Sequence, residues 1–137
     1  MLNNILEVCV SADCLAQLKT NIEISQQAGA RRIELCCQLS EDGLTPSIPA
    51  IKTAKSAVAV NVELLVIIRP HSRDFCYSNQ ELTKINKMLI QAGELDVDGV
   101  VLGVLTPDNT IDLVAMKMLM ATAHKYQLKV TFHRAFD

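Results

Sequence analysis

The chain has 137 residues, of which 50% are hydrophobic and 20% charged, and its formal net charge is −2. These values are typical of a globular protein and exclude an intrinsically disordered or fibrous chain. With three Phe, two Tyr and no Trp, the sequence also lacks the basic, aromatic-rich surface that nucleic-acid binding requires.

The first ten residues have no positively charged segment and include Glu7, so they do not resemble a signal peptide. No apolar run approaches the length of a membrane span. We therefore expect a cytoplasmic protein that binds neither membranes nor nucleic acid, with its five cysteines reduced because the cytosol disfavours disulfides. No CxxC pair is present, which argues against zinc-ribbon and thioredoxin-like sites.

Short apolar, β-branched runs alternate with longer segments of helical period, a pattern that predicts βαβ units on a parallel sheet. The predicted strands cover residues 5–10, 32–36, 62–68, 99–102 and 129–132. The predicted helices cover residues 14–28, 48–57, 80–95 and 111–126. Loops after strands are long and polar, which is typical of a barrel or doubly wound sheet with its site at the strand carboxyl ends. The glycine-rich dinucleotide fingerprint is missing after the first strand, whereas a flavodoxin-like sheet remains an alternative.

Acidic and sulfur-containing side chains recur on one face of the first two strands. Glu7 and Cys9 alternate with aliphatic residues in the first strand, and Glu34 and Cys36 do so in the second. In a barrel the aliphatic face packs under the helices, so these four side chains are predicted to face the interior.

Cys9 and Cys36 form the best-defined candidate site. Neighbouring parallel strands lie about 4.8 Å apart, so two cysteines at similar heights on one face can hold one soft metal ion between their sulfurs. Thiolates favour Cu(I), and a two-sulfur site suits that ion better than zinc. The structural alternative is that both are ordinary buried cysteines that pack as small hydrophobic residues.

A second candidate site combines titratable groups expected near the strand carboxyl ends. Its members are Glu7, Glu34, Arg69, His133, Arg134 and Asp137. Such groups can perform acid–base catalysis on a small molecule or hold an anionic ligand. The structural alternative is an interior ion-pair network in which Arg69 or Arg134 neutralises the two glutamates.

Six segments along the chain match a known family in order. They are EVCV at 7–10, ARRIELC at 30–36, LSEDGLTPS at 39–47, IIRPHSRDFCYS at 67–78, DGVVLGVLT at 98–106 and TFHRAFD at 131–137. Together they resemble the signature segments of the CutC copper-homeostasis family. The resemblance implies an α/β TIM (β/α)8 barrel, cytoplasmic location, homo-oligomeric assembly and copper handling, with Cys9 and Cys36 matching the family's proposed Cu(I) cysteines.

An eight-unit barrel needs about 250 residues, so residues 1–137 are predicted to form the N-terminal part of such a domain, about four and a half βα units. A truncated half barrel has two open strand edges, and we therefore expect self-association into a homodimer or larger assembly.

The family pattern usually has Ser-Glu-Gly-Gly where this chain has Ser40-Glu41-Asp42-Gly43. The alternative function is a TIM-barrel enzyme acting on a small polar or anionic metabolite.

Overall fold

The structure, a computed structural model, describes residues 4–136. In that range the chain has an α/β fold in which five parallel strands alternate with four α-helices. The strands are β1 (Glu7–Ser11), β2 (Arg32–Cys36), β3 (Glu63–Ile67), β4 (Gly99–Leu102) and β5 (Lys129–Phe132). The helices are α1 (Leu15–Gln27), α2 (Ile48–Ala57), α3 (Asn79–Glu94) and α4 (Leu113–Lys125).

The strands are hydrogen-bonded in chain order, β1-β2-β3-β4-β5, and every pair is parallel. A flavodoxin-like sheet reverses its strand order partway, so that alternative is wrong for the described residues. Unbroken sequential order is the topology of a (β/α)8 barrel, and this sheet is a partial barrel.

The two faces of the sheet carry different side chains, as the alternation in the sequence predicts. On one face, aliphatic residues such as Leu35, Leu64 and Val100 pack with buried residues of all four helices in one large core. The opposite face has a smaller apolar cluster that includes Cys36 and Ile67. Helices therefore cover one face, and the candidate polar residues lie on the other.

Side-chain caps set the starts of the later helices. The Ser78 hydroxyl accepts from the Glu81 backbone N–H while the Glu81 carboxylate accepts from the Ser78 N–H, a capping box that starts α3. The Asp112 carboxylate accepts from the Ala115 N–H at 3.0 Å and starts α4 two residues later than predicted. Among the described helices, none is both long and apolar enough to cross a bilayer.

Candidate functional site

The two candidate metal-binding cysteines lie close together on the interior face. The Cys9 and Cys36 sulfurs are 3.4 Å apart. In the β1–β2 register, however, Cys9 lies opposite Glu34 and Cys36 lies opposite Ser11. Contrary to the expectation of similar heights, the two cysteines are therefore not level with each other across the strands. Cys36 lies two residues further towards the carboxyl end than Cys9, and the two side chains meet diagonally.

The two thiols differ in exposure and in acidity. Cys9 is exposed, whereas Cys36 is 1% exposed. The hydrogen bond with Cys36 lowers the pKa of Cys9, outweighing the opposite effects of burial and of the nearby glutamates. The same hydrogen bond, followed by burial, raises the pKa of Cys36. Cys9 is accordingly the thiol that ionises first.

The loop after β2 closes over Cys36. Gly43 has a φ of +88°, and a Cβ added there would lie 3.3 Å from the Cys36 Cβ. Asp42 also has a positive φ, of 63°, at the position where the family pattern has glycine. The left-handed backbone of this loop therefore lets it approach Cys36 closely.

The remaining cysteines have separate surroundings. The Cys37 thiol donates to the Thr45 carbonyl oxygen at 3.2 Å, and burial raises its pKa. Cys14 is exposed at the N-cap of α1, and Cys76 lies in the loop before α3. Among residues 4–136, no group of three or more His, Cys, Asp or Glu side chains is arranged to hold a metal ion.

Glu7 does not lie where it was predicted. It is the first residue of β1, at the amino end of the sheet, and its carboxylate pairs with Arg32 at 3.4 Å. The prediction that it lies at a strand carboxyl end is therefore wrong, because side-chain phase gives the face of a strand but not the height. Its charge still affects Glu34, since burial and then Glu7 raise the pKa of Glu34 to about 7.

An ion-pair network crosses the amino end of the interior face. Arg32 donates to Glu63 at 2.9 Å, and Lys129 from β5 also reaches the Glu63 carboxylate. Lys129 passes over Gly99 of β4, where an added Cβ would lie 2.7 Å from the Lys129 carbonyl oxygen. Hydrogen bonds from Lys129 and then Arg32 lower the pKa of Glu63. An interior network thus exists, but it joins Glu7 and Glu63 to Arg32 and Lys129, and of the predicted members only Glu7 belongs to it.

A cavity of about 220 Å³ opens on the same face towards the strand carboxyl ends. Its polar lining consists of Glu34, Asp42, Arg69, Thr131, His133 and Arg134. Its apolar lining consists of Ile67, Phe75 and Val101. The structure therefore brings together four of the predicted polar candidates: Glu34, Arg69, His133 and Arg134.

Arg69 is buried at the end of β3, with 5% of its surface exposed. Its guanidinium donates to the carbonyl oxygens of Glu41 at 2.9 Å and Ser72 at 3.2 Å. It also lies 4.7 Å from the centre of the Phe75 ring. Its partners are therefore loop carbonyls and an aromatic face, not a glutamate.

His133 follows β5, and its ring is held in one orientation. Its Nδ1 accepts from the Ala135 N–H at 3.2 Å, so the hydrogen of the neutral ring is on Nε2. Burial, and then the Arg69 charge, lower the pKa of His133 to about 4. The imidazole is therefore neutral at pH 7, with Nε2 as a donor.

The outer end of the cavity has one ion pair. Arg134 donates to the Asp42 carboxylate at 2.7 Å, and both side chains are largely exposed.

Asp137, the last predicted candidate, lies outside the described residues. Sequence reasoning missed Asp42, Thr131 and Phe75 as cavity residues. Of these three, only Thr131 could have been found from the sequence, because its position in the strand places it on the same face as His133.

Comparison with known sequences gives one consistent family. The profile of the CutC family matches residues 4–137. The chain is 43% identical over 133 residues to a family protein CutC of Yersinia pseudotuberculosis serotype I (strain IP32953), covering 96% of this chain and 48% of that protein. It is 42% identical over 134 residues to the Citrobacter koseri (strain ATCC BAA-895 / CDC 4225-83 / SGSC4696) protein, covering 97% and 50%. The chain thus spans about half the length of the curated relatives it matches.

Comparison with solved structures agrees. The fold matches a crystal structure of CutC from Streptococcus agalactiae, described there as a candidate copper homeostasis protein, with a TM-score of 0.81 and 33% sequence identity. The match covers 98% of this chain and 61% of that one.

Proposed function

Because this chain belongs to the CutC family, one of whose solved members is described as a candidate for copper homeostasis, we propose that it serves copper homeostasis by binding Cu(I) between Cys9 and Cys36. The observation that carries the proposal is the 3.4 Å separation of the two sulfurs on the interior face. Thiolates are the ligands that select Cu(I) among first-row metals.

The geometry suits one ion shared by two sulfurs. With metal–thiolate bonds of about 2.3 Å, as for zinc, one ion can join sulfurs up to about 4.6 Å apart. The Cys9 and Cys36 sulfurs lie within that limit. Cys9 also has a lowered pKa, which favours the thiolate that binds metal.

A titration of the reduced protein with Cu(I) against a competing chelator tests the proposal. We expect tight binding of about one ion per chain that is lost when Cys9 and Cys36 are both replaced by Ser. The matched control replaces Cys14 and Cys76 by Ser, which removes two thiols and leaves the pair intact. Binding that survives in C9S/C36S, or that C14S/C76S loses equally, contradicts the proposal.

We also propose a cytoplasmic location, because a Cu(I) site made of two free thiols needs a reducing compartment. Expression of the full chain with a compartment-specific thiol label checks it. Labelling of Cys9 by a cytosolic reagent is the expected result, and labelling from a periplasmic or extracellular reagent contradicts it.

Self-association is proposed from the open sheet. In the described residues β1 and β5 each pair on one side only, so both present unpaired backbone groups. Ile5 and Leu6, beside β1, are 56% and 48% exposed. We expect a homodimer or larger assembly by light scattering at micromolar concentration. A monodisperse monomer over the whole concentration range contradicts this.

A second candidate function is catalysis on a small polar or anionic metabolite. The observation that favours it is that Glu34, Arg69 and His133 line one cavity. Glu34 and His133 are then the acid–base candidates and Arg69 the anchor. Incubation with a fractionated metabolite extract tests it: we expect one metabolite to be consumed by the parent and spared by Glu34→Gln and His133→Asn. Equal consumption by all three proteins, or none, contradicts catalysis at this cavity.

A further inference from the structure

The interior cavity is lined by a guanidinium, that of Arg69, that has no ion-pair partner among the described residues. Arg69 and Arg134 both line it, and Asp42 is already paired with Arg134. We propose that the cavity binds a small organic oxyanion, a carboxylate or a phosphate, between Arg69, His133 and Arg134. The proposal rests on the cavity of the second candidate function but requires no turnover, and it is independent of copper binding.

Arg69 is a buried cation. A guanidinium that is 5% exposed carries a full charge into the protein interior. In the part of the chain that the structure describes, no carboxylate lies within ion-pair distance of it, and its Nη atoms donate to the carbonyl oxygens of Glu41, Gly43 and Ser72. Neutral carbonyls offset only part of the desolvation cost of a charge, and an anion is the partner that offsets the rest.

Two residues that line the cavity each have an unused hydrogen-bond donor. Arg69 Nε and His133 Nε2 are both buried without a hydrogen-bond partner among residues 4–136. Because Nδ1 of His133 accepts from the Ala135 N–H, Nε2 of the neutral ring is a donor. Each unpaired buried donor has a free-energy cost, and two on one cavity are complementary to oxyanion oxygens.

Phe75 connects the two donors. Its ring lies 4.7 Å from the Arg69 guanidinium and 4.9 Å from the His133 imidazole, and it also lines the cavity. Both donor atoms are shielded from solvent in the present arrangement. An entering anion must therefore displace neighbouring side chains to reach them, and Phe75 lies against both.

The rest of the cavity sets the kind of anion. Thr131 and Glu34 line it as well, so hydroxyl groups on the ligand have polar partners there. A volume of about 220 Å³ is below the roughly 300 Å³ at which drug-sized sites begin. The ligand class is therefore a small hydroxylated carboxylate or phosphate with few carbon atoms.

Calorimetric titrations at constant ionic strength test the proposal with defined probes. The probes are glycerol 3-phosphate, D-glycerate and inorganic phosphate, with glycerol as the uncharged control. We expect at least one of the two organic anions to bind more tightly than inorganic phosphate, and glycerol not to bind. Binding of glycerate alone assigns a carboxylate, and binding of glycerol 3-phosphate alone assigns a phosphate.

Arginine variants distinguish anion binding at this cavity from a general effect of positive charge on the protein surface. Arg69→Gln and Arg134→Gln should each weaken binding by about tenfold or more, as expected for loss of a charged hydrogen bond. Arg134 is largely exposed, so its variant keeps the fold even if Arg69→Gln unfolds the protein. The matched control is Arg73→Gln, an exposed arginine paired with Glu81 that does not line the cavity.

The outcomes are distinct from those of the copper experiment. C9S/C36S should bind the organic anion as the parent does, because neither cysteine lines the cavity. Absence of binding to every probe at millimolar concentration overturns the proposal, as does equal weakening by Arg73→Gln. Binding without any consumed metabolite sustains the proposal and rejects catalysis.

Discussion

The Cys9 and Cys36 sulfurs lie 3.4 Å apart although Cys36 is paired in register with Ser11, two residues further along β1. A rise of about 3.3 Å per residue and a strand spacing of about 4.8 Å place the two Cα atoms roughly 8 Å apart. Disulfides usually need Cα atoms within about 7 Å. The diagonal arrangement therefore lets the thiols share an ion but disfavours a bond between them.

We predict that the Cys9–Cys36 pair stays reduced in glutathione buffers that oxidise well-placed cysteine pairs. The comparison variant is C9S/S11C, which moves the first thiol to the position directly opposite Cys36. That variant should form a disulfide at a lower fraction of oxidised glutathione, because its Cα atoms lie within disulfide range. Alkylation followed by mass spectrometry measures both. Oxidation of the parent at the same or a lower fraction contradicts the argument.

Glu34 and His133 should give opposite pH dependences of stability. The folded-state pKa of Glu34 is raised to about 7 from 4.5, so its contribution to stability is full below pH 4.5 and is lost as pH rises to about 7. The folded-state pKa of His133 is lowered to about 4 from 6.5, so its contribution is full above pH 6.5 and is lost as pH falls to about 4. Each shift corresponds to at most about 3 kcal/mol.

In the parent, the effects of Glu34 and His133 on the slope of stability against pH offset one another between about pH 4.5 and 6.5. Single variants should therefore reveal the contribution of each residue. Relative to the parent, Glu34→Gln should lose stability more steeply on acidification, and His133→Asn should lose stability as pH rises. Urea unfolding at a series of pH values measures this. A change of slope in the same direction for both variants rules out this account.

Gly99→Ala should destabilise the protein by about 1–3 kcal/mol, as overpacking commonly does. The new Cβ would lie 2.7 Å from the Lys129 carbonyl oxygen and 3.0 Å from its Cβ, so β5 must shift. Lys129→Met is the matched variant, because it removes the ion pair to Glu63 without adding a clash. Urea unfolding in low and high salt distinguishes the steric effect from the loss of the ion pair. Only the destabilisation by Lys129→Met should become smaller as the salt concentration rises. A Gly99→Ala protein as stable as the parent would falsify the steric argument.

Gly43→Ala should weaken Cu(I) binding, whereas Gly29→Ala should not. Both glycines have positive φ, 88° and 101°, so alanine at either costs about 1–2 kcal/mol of backbone strain. Only the Cβ at position 43 would press on Cys36, at 3.3 Å, while nothing lies within 4 Å of the one at position 29. Chelator competition measures affinity and urea unfolding measures stability. Equal Cu(I) affinities in the two variants contradict a role for the loop in positioning Cys36.

Much of the fold was predictable because it depends on local sequence. Hydrophobic periodicity gave all five strands and all four helices of the described residues, and strand phase placed Glu34 and Cys36 on the interior face. Helix starts were within two residues, and the largest difference is at α4, where the Asp112 cap lies inside the predicted helix.

The errors concern long-range geometry. Strand phase does not give register, so Glu7 was predicted at the wrong end of its strand and Cys9 at the wrong height relative to Cys36. The partners of Arg69 are carbonyls of two loops whose paths are set by tertiary packing. Phe75 had no periodic signal, because it lies in the loop between β3 and α3.

The unequal exposure of Cys9 and Cys36 implies an order of chemical access. Bulky thiol reagents should modify Cys9 rapidly and Cys36 slowly, because Cys36 lies under the loop that carries Gly43. A bare ion is small enough to pass from the outer sulfur to the inner one, and a large thiol compound is not. In the proposed Cu(I) site, the ion would therefore contact the Cys9 sulfur first and the Cys36 sulfur second.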